Sequence, residues 1–332
     1  MDFTQLMRLA GGHAEARAIQ TALKLGVFEA LREGARDASE IATTIACDPR
    51  ATMLLSNAMV ALKLLRKSAG RYELTEDTRR LLLESSPEHL GGMILFDEAL
   101  WATWGKLDES IRSGEPARVA DMYQSSPEET SRFIRAMDSL VRARGDAGWV
   151  AQNLDLTGAR TIADVGGGPG TYMLEFVRRR PGLHATVFDL PATLNVARSI
   201  LAEGRGAAID RIELRELDYN REEIPGPLDA LFMSNIIHSE DEAANAALIA
   251  KCYRALAPGG RLVVKDHIMN SELTEPDSGA LFSLYLLLTT RGRDYSFEEL
   301  ASWMRAAGFD DIRMQTLPNP PFTSALVLAR KR

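Results

Sequence analysis

Apolar and polar positions along the chain fall into two regimes. Up to about residue 150 the apolar residues recur at helical spacing. From about residue 160 short apolar runs alternate with helical stretches. In the first regime, Ala18, Ala22, Leu25, Val27, Phe28 and Leu31 predict a helix over residues 14–32. Ser39 is a candidate N-cap for the helix that follows. Asp48-Pro49-Arg50 predicts the start of another helix, running through Leu54, Leu55, Met59, Leu62 and Leu65, with proline in its first turn. Arg71-Tyr72-Glu73-Leu74-Thr75 alternates and reads as a short wing strand. A long helix is expected over residues 93–112, with Phe96, Trp101, Trp104 and Leu107. A further one runs from Glu128 to Val150, with Phe133, Met137 and Trp149.

In the second regime the predicted strands are Thr161–Val165, Ala185–Phe188, Ile212–Leu217, Ala230–Met233, Leu262–Lys265 and Thr323–Ala329. Strands alternating with helices predict an α/β fold, a doubly wound and mostly parallel sheet of Rossmann-like kind. The domain boundary is expected near residue 100, with residues 1–100 helical and winged and residues 101–332 carrying the sheet. Ligands in such sheets bind beyond the carboxyl ends of the strands, at the switch point. Asp164, Asp189, Asp218 and His238 all lie at or just past predicted strand ends.

The densest local signal is Asp164-Val165-Gly166-Gly167-Gly168-Pro169-Gly170-Thr171, between a strand and a helix. Glycines there permit positive φ and close approach of a ligand to the backbone. Asp189 ends the next strand and can accept from both hydroxyls of a ribose. A dinucleotide is the competing ligand, but the spacing departs from G-x-G-x-x-G. An acid at Asp164 would also repel a pyrophosphate. It suits the ammonium and sulfonium of S-adenosylmethionine, a ligand without phosphate.

Composition narrows the alternatives. Net charge is -7, which disfavours nucleic-acid backbones and anionic membranes. Three helices and a wing outline a winged helix, yet the candidate recognition helix, residues 50–63, holds only Arg50 and Lys63 as basic residues. No apolar run approaches the roughly 20 residues that span a bilayer. Cys47 and Cys252 stand far apart and form no redox or metal motif, which points to a reducing, cytoplasmic setting.

DVGGGPG at 164–170, FDLP at Phe188–Pro191, ELDY at Glu216–Tyr219, NIIHSEDE at Asn235–Glu242 and LAPGGRLVVKD at Leu256–Asp266 together resemble the small-molecule O-methyltransferases. These are the dimeric, metal-independent enzymes typified by plant caffeic acid and flavonoid O-methyltransferases, with a bacterial natural-product branch. The resemblance implies a class I methyltransferase fold, S-adenosylmethionine as cofactor, S-adenosylhomocysteine as product, a homodimer built on the N-terminal winged-helix domain, and a small-molecule acceptor. It implies His238 as general base, flanked by Asp266 and Asp294. In the family's H-D-W motif, His238-Ser239-Glu240 retains the base and lacks the Asp and Trp. Cofactor contacts fall on Asp164, Gly166, Gly167, Gly168, Asp189, Leu190, Asp218 and Tyr219, and on Ser234 where the family has a lysine. Acceptor contacts fall on Trp101, Phe133, Met137 and Asn235. No metal is expected. Asp266, His267 and His238 would need to converge to hold one, and on an extended strand His267 would point away from Asp266. The apolar segment 279–288 is either pocket wall or core. Acceptor identity stays open among phenol, enol and carboxyl acceptors. C-methylation and a ligand-sensing winged-helix regulator are the alternative functions.

Overall fold

The computed structural model describes residues 1–203, 207–317 and 324–332. The chain divides into two compact units, Met1–Trp101 and Ala102–Arg332.

The first unit is helical with one hairpin. Its helices are Phe3–Lys24, Val27–Ala30, Ala38–Thr44, Pro49–Ala61, Glu76–Leu82 and Gly91–Ala99. The wing pairs β1 (Leu65–Ser68) antiparallel to β2 (Arg71–Leu74). Ala69 and Gly70 both take positive φ, at 48° and 79°, which suits the twist of a two-residue hairpin. The β1 half has one buried apolar residue, Leu65, and left no alternating signal to read. Phe28, Leu31, Ile41, Met59, Leu65 and Tyr72 fill this unit's core. Asp48 caps the helix at Pro49 as expected, accepting from the Ala51 amide at 2.8 Å. The cap assigned to Ser39 belongs instead to Asp37. Asp37 and Glu40 form a reciprocal capping box, which Ser39 lacks the partner to make.

Two long helices of the sequence reading are broken. Residues 93–112 form three pieces, Gly91–Ala99, Trp101–Trp104 and Leu107–Ser113. Residues 128–150 form Pro127–Arg144 and Asp146–Asn153, interrupted by Gly145 in the left-handed region at φ 70°. Apolar spacing carries across such a break because the chain resumes its helical phase one residue later.

The second unit is built on an eight-stranded sheet. Its strands are β3 (Thr161–Val165), β4 (His184–Asp189), β5 (Ile212–Glu216), β6 (Leu228–Ser234), β7 (Leu256–Met269), β8 (Tyr295–Ser296), β9 (Phe309–Thr316) and β10 (Ser324–Lys331). The order is β5-β4-β3-β6-β7-β10-β9, with the short β8 paired to β7. Pairs β3–β4, β4–β5, β3–β6 and β6–β7 are parallel, and β10 runs antiparallel between β7 and β9. This is the doubly wound, mostly parallel sheet that the alternation predicts. Thr323, read as the start of the last strand, lies outside the described residues. Side chains alternate along β6. Leu231 and Met233 face a core with Leu248, Ile249 and Leu300, while Phe232 faces the other with Tyr172, Met173 and Phe176. The order reverses between β3 and β6, so the open crevice lies beyond Val165 and Ser234.

Gly145 meets no neighbour where a Cβ would stand, so its requirement is conformational alone. Gly145→Ala is expected to destabilise by about 1 kcal/mol, the cost of the left-handed region for an L-residue. Equilibrium denaturation should show a lower midpoint at unchanged slope.

Candidate active site

The crevice at the switch point holds a cavity of about 630 Å³. One end is the glycine turn. Gly166, Gly168 and Gly170 take φ of 68°, 52° and 75°. A Cβ on Gly166 would stand 2.4 Å from Ile236, and one on Gly167 would stand 2.8 Å from the Asp164 carboxyl. The turn therefore needs glycine for both conformation and space. Asp189 clamps it, with Oδ2 accepting from the Gly168 amide at 2.8 Å and Oδ1 from the Leu190 amide at 2.7 Å. Burial raises the Asp189 carboxyl, and those amides oppose the rise.

Asp164 is 1% exposed, and its Oδ1 has no hydrogen-bond partner. Burial, and then the charge of Asp189, pushes its carboxyl well above the ordinary range. A buried carboxylate facing a cavity without a counter-charge is a site for a cation. The ammonium of S-adenosylmethionine fits that requirement.

Further round the rim, Asp218 follows β5, and its Oδ1 accepts from the Asn220 amide. The Tyr219 hydroxyl and Asn220 Nδ2 both donate to Glu240 Oε1 at 2.9 Å. Ser234 ends β6 in register with Lys265 of β7. The lysine is wholly buried, with Nζ 3.4 Å from Asn235 Oδ1 and 3.3 Å from Asp146 Oδ2. Burial and the Arg144 charge pull its amine down to about 8, against Asp146. A buried lysine thus reaches the neighbourhood of position 234 from the adjacent strand.

Asn235 turns the chain sharply at φ 60°, a conformation that asparagine tolerates better than most residues. The 3-10 turn Ile237–Ser239 follows and carries His238. Asn245 Nδ2 donates to the carbonyls of Ile237 and Glu240, and the Tyr295 hydroxyl donates to Glu240 O. Gly292 packs on the same turn so closely that a Cβ would stand 2.1 Å from His238 O. These contacts hold a loop that has neither the Asp nor the Trp of the family motif.

His238 Nδ1 lies 2.6 Å from Asp266 Oδ1. Burial lowers the imidazole. The charge and hydrogen bond of Asp266, with Asp294 behind it, outweigh burial and leave it raised. Asp266 is correspondingly held below the ordinary carboxylate range, despite its own burial. An ionised Asp266 fixes Nδ1 as the donor, which leaves Nε2 with the free lone pair. Donor atoms of His238, Asp266 and Asp294 all lie within 4.8 Å of one another. The sequence reading set His267 on the opposite side of the strand. Its ring lies 5.8 Å from that of His238.

Of the residues read from sequence, Asp164, Gly166, Gly167, Gly168, Asp189, Leu190, Asp218, Tyr219, Ser234, Asn235, Phe133 and Met137 line this one cavity. His238, Asp266 and Asp294 form the buried cluster just described. Trp101 belongs to the first unit and is 41% exposed, with the Arg17 guanidinium 5.4 Å from its ring centroid. It is not among the cavity's lining residues. Sequence reasoning placed Phe282 and Tyr285 in the apolar segment 279–288, as pocket wall or core, and missed Tyr123, which links them to Phe133. Phe133 stacks on Tyr123 at 4.5 Å, the Tyr123 and Tyr285 hydroxyls meet at 2.7 Å, and Phe282 stacks on Tyr285 and edges His238 at 5.4 Å. Tyr123 sits at φ 62° in a polar loop that carries no periodic signal.

Comparison with known proteins agrees with this geometry. Residues 108–310 match the O-methyltransferase domain, and residues 7–84 match the O-methyltransferase dimerisation domain. The chain belongs to the O-methyltransferase family. It is an S-adenosylmethionine-dependent methyltransferase of the natural-product type. It is 31% identical to 3-hydroxy-5-methyl-1-naphthoate 3-O-methyltransferase of Streptomyces sahachiroi, over 96% of this chain and 92% of that one. It is 28% identical to the tetracenomycin polyketide synthesis 8-O-methyl transferase TcmO of Streptomyces glaucescens, over 98% and 96%. Among solved structures, PigF with SAH superposes with a TM-score of 0.88 at 26% identity, covering 100% of both chains. The mitomycin 7-O-methyltransferase MmcR gives 0.85 at 27%, covering 99% of this chain and 97% of that one. Among the described residues, no helix is long and apolar enough to cross a membrane.

The isolated Asp164 charge yields a prediction of opposite signs. A carboxyl raised by folding loses stability for the protein as pH climbs through its folded value. Asp164→Asn should therefore raise the melting temperature of the ligand-free protein at neutral pH. The same change should weaken S-adenosylhomocysteine binding by at least tenfold in calorimetry, the order expected for a lost charged contact. A variant that bound as tightly as the parent would remove Asp164 from the cofactor site.

Proposed function

We propose that this chain transfers the methyl group of S-adenosylmethionine to a hydroxyl of an aromatic or polyketide-like small molecule, with His238 as general base. The 2.6 Å contact between His238 and Asp266, beside the switch-point cavity, carries the reading. The donor's sulfonium supplies an already activated methyl group. The protein's part is to position the two reactants in line and take the acceptor's proton.

In this reading Asp164 and Gly166–Gly168 hold the amino-acid portion of the donor. Asp189, with Leu190 beside it, binds the ribose hydroxyls. Asp218 and Tyr219 take the adenine, and Ser234 borders the cofactor from the end of β6. Phe133, Met137 and Asn235 border the acceptor. Aromatic faces along Tyr123, Tyr285 and Phe282 suit a flat acceptor. The curated relatives named above act, by their names, on a naphthoate and on a tetracenomycin polyketide, which supports the same class. The acceptor hydroxyl donates to the free Nε2 of His238 as the oxygen attacks. Asp266 stabilises the imidazolium that results.

The protein acts as a homodimer in this proposal. Phe3, Leu6, Met7 and Leu9 are all more than half exposed on the first helix of the matched dimerisation domain. Light scattering at micromolar concentration should return twice the chain mass. A monomer would refute the assembly.

His238→Ala should lower turnover by about 10²–10⁴, the usual worth of a general base, and leave S-adenosylhomocysteine binding intact. Asp266→Asn should cost less. The base must be unprotonated to act, and its folded value is raised. Activity on a neutral phenol should therefore climb with pH through a midpoint above the ordinary imidazole value. Asp266→Asn should move that midpoint down. Near-full activity of His238→Ala on such an acceptor would sink the assignment.

A further inference from the structure

Four titratable side chains meet at the end of β7, one more than the base and its two flanking acids. His238 and His267 are each 7% exposed, Asp294 is 1% exposed and Asp266 wholly buried. Their contacts are unequal. Asp266 Oδ1 takes His238 Nδ1 at 2.6 Å and the His267 amide at 2.8 Å. Asp294 Oδ2 lies 3.4 Å from His267 Nδ1. Neither carboxylate oxygen of Asp294, nor Asp266 Oδ2, nor His267 Nδ1 has a hydrogen-bond partner, so charge pairing is what remains to stabilise them. Phe282 edges both rings, at 5.4 Å from His238 and 4.6 Å from His267, and keeps water from the two pairs alike.

Two buried carboxylates set against one imidazole would hold it protonated, and a protonated imidazole cannot accept a proton. One carboxylate orients the base and stabilises its charged form. A second, left uncompensated, would spoil it. An imidazole placed against the second acid removes that conflict.

We propose that His267 and Asp294 form a second imidazole–carboxylate pair, which takes the charge of Asp294 and leaves Asp266 as the one carboxylate that serves His238. His267 is then a positioning residue, acting through Asp294 rather than on the substrate. The arrangement rests on His238 being the base. The charged groups that face the two rings are Asp266 and Lys265 from β7 and Asp294 from the loop before β8. Lys265 opposes protonation of His238. The helix Asp277–Thr289 contributes Phe282 and no charge to either ring contact.

Imidazole titration of the full-length protein labelled with nitrogen-15 histidine tests the pairing without donor or acceptor. The chain has five histidines, so each signal is assignable by single substitution. Asp266→Asn should lower the His238 midpoint by about one pH unit or more, the effect of deleting an adjacent opposite charge. Asp294→Asn should displace the His267 ring signals and move the His238 midpoint less than Asp266→Asn does. If Asp294→Asn lowers His238 as far as Asp266→Asn does, or leaves His267 unmoved, the second pair does not exist. Asp294→Ser serves in the same comparison should the asparagine variant not fold. Failure of the parent protein to bind S-adenosylhomocysteine would instead defeat the functional reading, and the titrations stand apart from that result.

Discussion

Asp266 Oδ1 accepts two hydrogen bonds inside the protein, where water cannot replace either, and one comes from the His238 imidazole. That carboxylate sits on β7, while His238 sits on the turn after β6. Because β6 and β7 are neighbours in a parallel sheet, their carboxyl ends emerge side by side and bring the two together without a long loop. The sharp turn at Asn235 aims the imidazole back towards β7, and Asn245, Tyr295 and Gly292 fix that turn. Removing any of these supports would leave the side chains present and their geometry loose.

The donor end of the cavity follows a different logic. The cluster around His238 couples most of its charges. Asp164 Oδ1 is left without a hydrogen-bond partner, and each Asp189 oxygen accepts one amide of the turn. The ligand-free fold carries an unmet electrostatic demand that a cationic ligand satisfies. Binding sites of this kind trade stability of the empty protein for affinity.

Strand ends and the glycine turn were legible in the sequence because they rest on local rules. Alternation located β3 and β6, and the positive φ angles at Gly166, Gly168 and Gly170 are what a strand-to-helix glycine run requires. The nearness of His267 to His238 was not legible, because strand alternation describes neighbours on one strand and not what arrives from other elements to surround its end. Gly145 and the break at Leu100 were missed because apolar spacing keeps its phase through a one-residue interruption. Tyr123 and Tyr285 lie 162 positions apart, and no local pattern links them. Lys265 beside Ser234 is a matter of strand register, visible only once the sheet is assembled.

The close approach of Gly292 to the His238 carbonyl divides the sequence into parts with unequal freedom to change. Position 292 admits no side chain, so the loop that carries Asp294 is tied to the turn that carries the histidine. The adjoining helix Asp277–Thr289 has Leu281 exposed and Phe282, Leu284 and Tyr285 half-buried, while its Ser283 Oγ accepts from the Asp294 amide at 3.1 Å. On the proposed reading, exposed Leu281 is free to vary while position 292 stays glycine, so sequence change is steered away from the turn that carries His238.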